Sequence, residues 1–214
     1  MIGRGRRLGA LLVVCAVAAA PASAQSRVEL SAGATWIGGF DAGGGDALET
    51  RNPTTGSSPL TLFSAISRVE AAPSWTASVG FYLTDRVAVE ASAEYSRPVL
   101  RTTISGDFEG ATGTTAETTL KSLVAGGTLL YYFGAARVTP LAFAGAGWTR
   151  QLDEDNIMLV SGAEAHAGGG IRCRLDRHFA VRVDAGVSAR EKTIAFDQKR
   201  RLLPRVAGSL AYRW

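Results

Sequence analysis

Cysteine is almost missing from these 214 residues: there are two, Cys15 and Cys173, and histidine and methionine also occur only twice each. So little cysteine excludes a disulfide framework and a cysteine-built metal cluster. Long apolar runs are missing as well. No stretch after the first 24 residues approaches the roughly 18 apolar residues of a membrane-crossing helix. Excess charge is the third absence. Lys and Arg number 23 against 19 Asp and Glu, but Arg4, Arg6 and Arg7 lie in a leader, and without them 20 basic residues face 19 acidic ones. A net charge near +1 with no clustered basic face excludes a nucleic-acid partner.

The leader is legible. Arg4, Arg6 and Arg7 precede an apolar run from Leu8 to Ala20, and Ala22-Ser23-Ala24 then forms a small-x-small cleavage site before Gln25. This predicts a secretory signal peptide over 1–24 and a single domain over 25–214. Val14 stands before Cys15 where a lipidated cysteine takes a small residue, so lipidation is not expected.

What fills the remainder is alternation. In "RVELSAGATW", Val28, Leu30, Ala32, Ala34 and Trp36 share one parity and Arg27, Glu29, Ser31, Gly33 and Thr35 the other. Period two is the mark of a half-buried strand. "SWTASVGFYL", Thr84-Asp85-Arg86 and "VAVEASAEY" make a hairpin. "LVAGGTLLYYF" and "VTPLAFAGAGW" make a second around "GAAR", with parity unclear at Pro140, and "EAHAGGGIRCRL" and "FAVRVDAGVSAR" a third around "DRH". Leu83, Asp85-Arg86 and Val87-Ala88-Val89 overlay on Leu175, Asp176-Arg177 and Phe179-Ala180-Val181, a weak internal similarity. "GSLAYRW" continues the alternation to Trp214, and with the first strand the count is eight.

Short links alternate with long ones, the latter near 41–73, 98–117, 149–156 and 191–198. An even strand count, turns at one end, loops at the other and an apolar outer face are the sequence signature of an all-β, eight-stranded antiparallel up-and-down transmembrane barrel in an outer membrane. The aromatics predict two girdles. Trp36, Phe40, Trp75, Tyr95 and Trp148 lie toward the loops, and Phe81, Tyr82, Tyr131, Tyr132, Phe133, Phe179, Tyr212 and Trp214 toward the turns. Val28 to Trp36 spans roughly 26 Å at about 3.3 Å per residue, enough to cross.

With these patterns in view, the signal peptide, "FYLTDRVAVEASAEY" and the aromatic-terminated "GSLAYRW" resemble the small outer-membrane β-barrel proteins of the OmpA/OmpX-like kind. The resemblance implies that the last strand is read by the barrel assembly machinery, although the glycine of that signal falls at Ser209, beside Gly208. It also implies contact with outer-membrane lipid and lipopolysaccharide.

Parity places Glu29, Glu90, Glu94, Glu164 and Asp184 inside, with Arg172, Arg174, Arg182, Arg190, Arg205 and Arg213. An eight-stranded lumen is only wide enough for side chains to fill, so arginine–carboxylate pairs are expected to plug it. The implied role is a structural, surface-presenting anchor. The alternative readings are an adhesin or ligand-binding module, a narrow pore and a lipid A-modifying enzyme. For the adhesin or binding module, the 41–73 loop offers Leu48, Leu60, Leu62, Phe63 and Ile66. For the enzyme, His166 and Glu164 share a face, but the serine expected two positions after the histidine is Gly168. No enzyme activity, cofactor or metal is expected, and Asp41 to Asp46 with its three glycines reads as a flexible surface loop.

Overall fold

The computed structural model describes residues 27–48, 61–107, 113–154, 159–191, 193 and 200–214. The leader expected over 1–24 lies outside them, as does Leu60. Among these residues eleven strands follow one another: β1 (Val28–Ile37), β2 (Phe40–Leu48), β3 (Thr61–Val69), β4 (Ala72–Tyr82), β5 (Val87–Ser96), β6 (Val99–Ser105), β7 (Thr114–Tyr132), β8 (Val138–Asp153), β9 (Leu159–Arg174), β10 (Phe179–Arg190) and β11 (Arg201–Arg213). No helix among the described residues is long and apolar enough to cross a membrane.

Eight of the strands close a barrel in the order β1-β4-β5-β7-β8-β9-β10-β11, each antiparallel to the next, with β11 returning to β1 through Leu30↔Tyr212 and Trp36↔Val206. Closure leaves no edge strand within the apolar layer, as backbone polarity in lipid requires. Alternation decides which way each side chain points. Along β10, Val183 and Val187 are exposed whereas Asp184, Ser188 and Arg190 are buried. Pro140 fits the same pattern, facing outward between buried Thr139 and Leu141.

The other three strands correct the sequence reading, which made loops of 41–73 and 98–117. Residues 40–48 pair with 61–69, those with β6, and β6 with the first turnless stretch of β7, giving the open sheet β2-β3-β6-β7 above the barrel. Asp41 to Asp46 is therefore part of a strand, not a flexible loop. The sheet exists because barrel strands run on past the membrane. β7, with 19 residues, reaches about 60 Å and pairs with β5 below and β6 above. Two other strand runs are each broken where the barrel gives way to the sheet. Pro98, with no N–H, separates β5 from β6 and still accepts from Leu120 N at 2.8 Å. Gly38 and Gly39 separate β1 from β2, where a Cβ would stand 2.6 Å from Pro204 Cγ and 2.5 Å from the Val69 carbonyl respectively.

The internal similarity between hairpins has a physical basis shifted by one residue. Leu83 N–H donates to Val87 O and Leu175 N–H to Phe179 O, each at 2.9 Å. Thr84 Oγ1 accepts from Val87 N at 3.0 Å, and Asp176 Oδ1 accepts from Phe179 N at 2.6 Å. Thr84, not Asp85, is thus the counterpart of Asp176. The backbone N–H groups of Phe179 and His178, the latter 2.7 Å from the same Oδ1, hold the exposed Asp176 carboxyl below the usual carboxylate range.

Candidate functional site

The candidate site is the barrel interior, where the inward parity of five strands, β1, β5, β9, β10 and β11, gathers charge. Arg182 on β10 reaches Glu90 on β5 with two parallel contacts, Nη1 to Oε2 at 2.7 Å and Nη2 to Oε1 at 3.1 Å. Its Nε lies 2.8 Å from Asp184 Oδ2 on its own strand. Arg205 on β11 approaches Glu94 of β5 at 3.6 Å, and Arg190 Nε donates to Glu164 of β9 at 2.8 Å. Near the turns, Arg172 of β9 pairs with Glu29 of β1 and donates to the Tyr82 hydroxyl. Tyr82 in turn donates to Glu29 at 3.1 Å and stacks on Tyr132, ring centroids 5.7 Å apart. Arg213 lies over the Tyr82 ring at 4.4 Å, within reach of a cation–π attraction.

The polar layer is bounded at both ends by apolar packing. Toward the loops, Ile37, Phe40, Ala42, Val69, Leu120 and Leu203 form one cluster, and toward the turns Tyr82, Ala88, Leu130, Tyr132, Leu141 and Phe143 form another. Between them remains a cavity of about 50 Å³, bordered by Glu90, Glu94, Thr128, His166, Arg182 and Arg205 among others. Glycines of β8 and β9 leave room for three of the side chains that border it. A Cβ at Gly145 would fall 2.4 Å from His166 Nε2, one at Gly168 2.7 Å from Phe143 Cζ and one at Gly170 2.3 Å from Asp184 Oδ1.

Several expectations need correction here. Arg174 is not in the interior: it is exposed at the turn end and donates to the Ala135 carbonyl. Tyr82 and Tyr132 are 4 % and 3 % exposed and Phe40 is buried, so these three do not belong to the outer aromatic rings. The adjacency of Phe81 to Tyr82 and of Tyr131 to Tyr132 carried that signal, because neighbours on a strand must face opposite ways. Trp36, Trp75, Tyr95, Trp148, Phe133, Phe179 and Trp214 are exposed on the outer wall, and Tyr212 is half-buried against Phe179 and Trp214.

His166 and Glu164 face inward together, but each has a different partner. Glu164 holds Arg190, whereas His166 Nε2 lies 2.8 Å from Thr128 Oγ1 and its buried Nδ1 has no hydrogen-bond partner. A base next to a hydroxyl therefore lacks the third group that would orient it. Among the described residues no set of three or more His, Cys, Asp or Glu gathers to hold a metal.

An edgeless eight-stranded antiparallel barrel, apolar outside and charged within, defines an integral outer-membrane protein of the small-barrel class. The chain belongs to the family described as the outer membrane protein beta-barrel domain, whose model matches residues 8–199. Among solved structures it is similar to the outer membrane protein OprG of Pseudomonas aeruginosa, at 12 % identity over 89 % of this chain and 97 % of that one, with a TM-score of 0.51. It is also similar to Ail, the attachment invasion locus protein of Yersinia pestis, solved with the heparin analogue sucrose octasulfate, at 11 % identity over 88 % and 98 % with a TM-score of 0.48. The N-terminal β-barrel domain of Pseudomonas aeruginosa OprF is 15 % identical over 89 % and 98 %, with a TM-score of 0.42. At such identities the likeness concerns the fold. No curated protein matches the sequence.

Proposed function

We propose that this outer-membrane barrel is a plugged anchor that carries a rigid β-sheet outside the membrane, rather than a pore or an enzyme. The observation that carries the reading is the Arg182–Glu90 contact. β5 and β10 stand four strands apart in either direction around the wall, so this bidentate pair crosses the lumen at its full width. Buried charges this close are stable only when paired, and a pair that must stay intact cannot part to let ions through. The apolar clusters above and below add two further barriers.

Enzyme activity is absent on this reading, because the His166–Thr128 pair sits beside a cavity with room for little more than water. A signal peptide over 1–24 delivers the chain, and the last strand, ending Leu210, Tyr212 and Trp214 on the lipid face, serves as the assembly signal. The test is solute uptake by liposomes holding the full-length mature barrel. They are expected to swell no faster than empty liposomes in small sugars, and rapid swelling would refute the plug.

A second reading, ligand binding outside the membrane, is favoured by the sheet β2-β3-β6-β7. Leu62 and Ile66 are exposed on β3, the latter by 64 %. A row of apolar side chains on a surface held by strands is a better binding platform than a mobile loop. Replacing both by serine is expected to abolish any adhesion to host-cell or matrix surfaces while leaving the barrel folded. Unchanged adhesion would remove this reading.

A further inference from the structure

We infer that the turn-end mouth of the barrel holds a binding site for the phosphate group of a soluble periplasmic molecule, built by Arg137, Arg174 and Arg213 beside Arg172. The inference rests on the facing of the barrel strands and not on the plugged lumen.

The short turns of such barrels face the periplasm, and the charge at that end is one-sided. No lysine lies there. Arg172, Arg174 and Arg213 close β9 and β11, Arg137 and Arg177 lie in the turns before β8 and β10, and Arg27 and Arg86 directly precede β1 and β5. Against these seven stand Glu29, Asp85, Asp176 and the carboxylate of Trp214, which leaves a surplus of three positive charges.

Parity aims the site arginines over the lumen rather than at lipid. Arg174 shares the parity of Arg172, whose side chain is 11 % exposed, and Arg213 shares that of Ala211, 3 % exposed. Arg137 shares that of buried Thr139. Each stands two residues, about 7 Å of strand, beyond a side chain that points inside. Two cavities open among them. One of about 120 Å³ is bordered by Tyr82, Tyr132, Arg172, Arg174 and Arg213, and one of about 240 Å³ by Arg172, Arg174, Arg177 and Arg213, among others. They share three arginines, and each is far larger than the roughly 10 to 15 Å³ that holds one water.

Neutral groups fix these cations in place. Arg174 N–H donates to the Arg137 carbonyl at 2.8 Å, and Arg137 Nε donates back to the Arg174 carbonyl at 3.1 Å. Arg174 Nη2 donates to the Ala135 carbonyl. Two guanidinium groups on adjacent strands are thus anchored by backbone oxygens, and among the described residues neither meets a carboxylate. Like charges placed opposite each other on a sheet repel. The nearby acids do little to relieve this. Asp176 Oδ1 accepts from the His178 and Phe179 N–H groups at 2.7 and 2.6 Å, and Glu29 accepts from Arg172 and Tyr82. Asp85 alone among acidic side chains borders the smaller cavity, against three arginines.

The occupant follows from the donors and their directions. A phosphate monoester carries a charge of about −1.5 to −2 and three strong acceptor oxygens. It meets guanidinium forks from β8 and β9 on one side and from β11 on the other, with β10 between them. A carboxylate presents a single edge to a single fork.

The experiment titrates the full-length mature barrel, in a nonionic detergent at constant ionic strength, with inorganic phosphate and with glycerol 3-phosphate, followed by phosphorus NMR. Acetate and phosphatidylglycerol are added as competitors. Acetate is expected to displace the phosphates only at about tenfold or more higher concentration, and phosphatidylglycerol to compete no better than inorganic phosphate. The double variant Arg137→Gln, Arg174→Gln is expected to bind both phosphates at least about tenfold more weakly while keeping its heat-dependent shift in gel migration. Arg101→Gln, on the outer sheet, is expected to bind as wild type does. If the double variant fails to fold, Arg174→Gln alone is measured, with a loss of about threefold or more expected. Equal competition by acetate, stronger competition by phosphatidylglycerol, undiminished binding by a folded turn-end variant, or an equal loss in Arg101→Gln would overturn the inference.

Discussion

Arg182 and Glu90, 92 residues apart in sequence, meet across the barrel interior with both guanidinium Nη atoms on one carboxylate at 2.7 and 3.1 Å. Both side chains are about nine-tenths buried, so removing Arg182 leaves Glu90 charged and without its partner, and removing Glu90 leaves Arg182 with Asp184 alone. Glu90→Ala is expected to destabilise the barrel by roughly 3 to 5 kcal/mol. Adding Arg182→Met and Asp184→Asn to Glu90→Ala, which removes the partner charges together, is expected to recover much of that loss, as measured by urea unfolding in lipid vesicles. Equal stability of the single variant and wild type would show that the pair carries no weight.

Val183 and Asp184 test the facing of a strand with one residue between the outcomes. Val183 is 53 % exposed on the outer wall, and Asp184 is buried against Arg182. Val183→Arg places a charge in lipid at a cost of roughly 2 to 4 kcal/mol near mid-membrane, so its folding yield is expected to fall below that of Asp184→Asn. The reverse order would turn the barrel inside out.

The turn at Asp176 titrates with a sign fixed by its donors. Its carboxyl is depressed by the N–H groups of Phe179 and His178, so the folded state favours the ionised form. That stabilisation is complete above the ordinary aspartate pKa of about 3.9 and is lost as the pH falls through the lower folded value. The His178 and Phe179 amides are expected to be protected from hydrogen exchange, relative to intrinsic rates, at pH 6 and to lose protection in strong acid. Asp176→Ala is expected to lose it at both. Protection unaffected by Asp176→Ala would mean that the carboxylate does not hold the turn.

Strand β3 predicts an exchange pattern that a loop would not show. It pairs with β2 on one side and β6 on the other, and Ser67 is fully buried. Amides of residues 64–69 are expected to exchange far more slowly than that of Asp85 in the exposed turn. Rates in 64–69 comparable to that of Asp85 would dissolve the outer sheet.

The barrel was readable because its rule is local. One look at Val28 to Trp36 or Phe179 to Arg190 assigns both faces, since side chains alternate regardless of what the strand pairs with. The outer sheet was not readable for the opposite reason. Gly43-Gly44-Gly45 has no strand propensity of its own, and β2 forms because β1 carries the chain into position beside β3. Inside the barrel, parity named the face of Glu29 and Arg172 but not their height, which depends on the stagger of eight strands. The same blindness to height put Arg174 in the lumen, although it lies two residues past Arg172 and clears the mouth. Thr128 and Phe143 went unnoticed because a hydroxyl or a ring on an inward face acquires meaning only beside His166.

Single-channel recording in planar lipid bilayers tests the plugged lumen most directly. Wild-type protein is expected to insert and stay electrically silent, and Glu90→Ala with Glu94→Ala is expected to give small, flickering currents or a less stable barrel as water enters the vacated space. Stable, ion-selective conductance in the wild type, abolished by neutralising Arg182 or Arg205, would contradict the anchor and make this protein a channel.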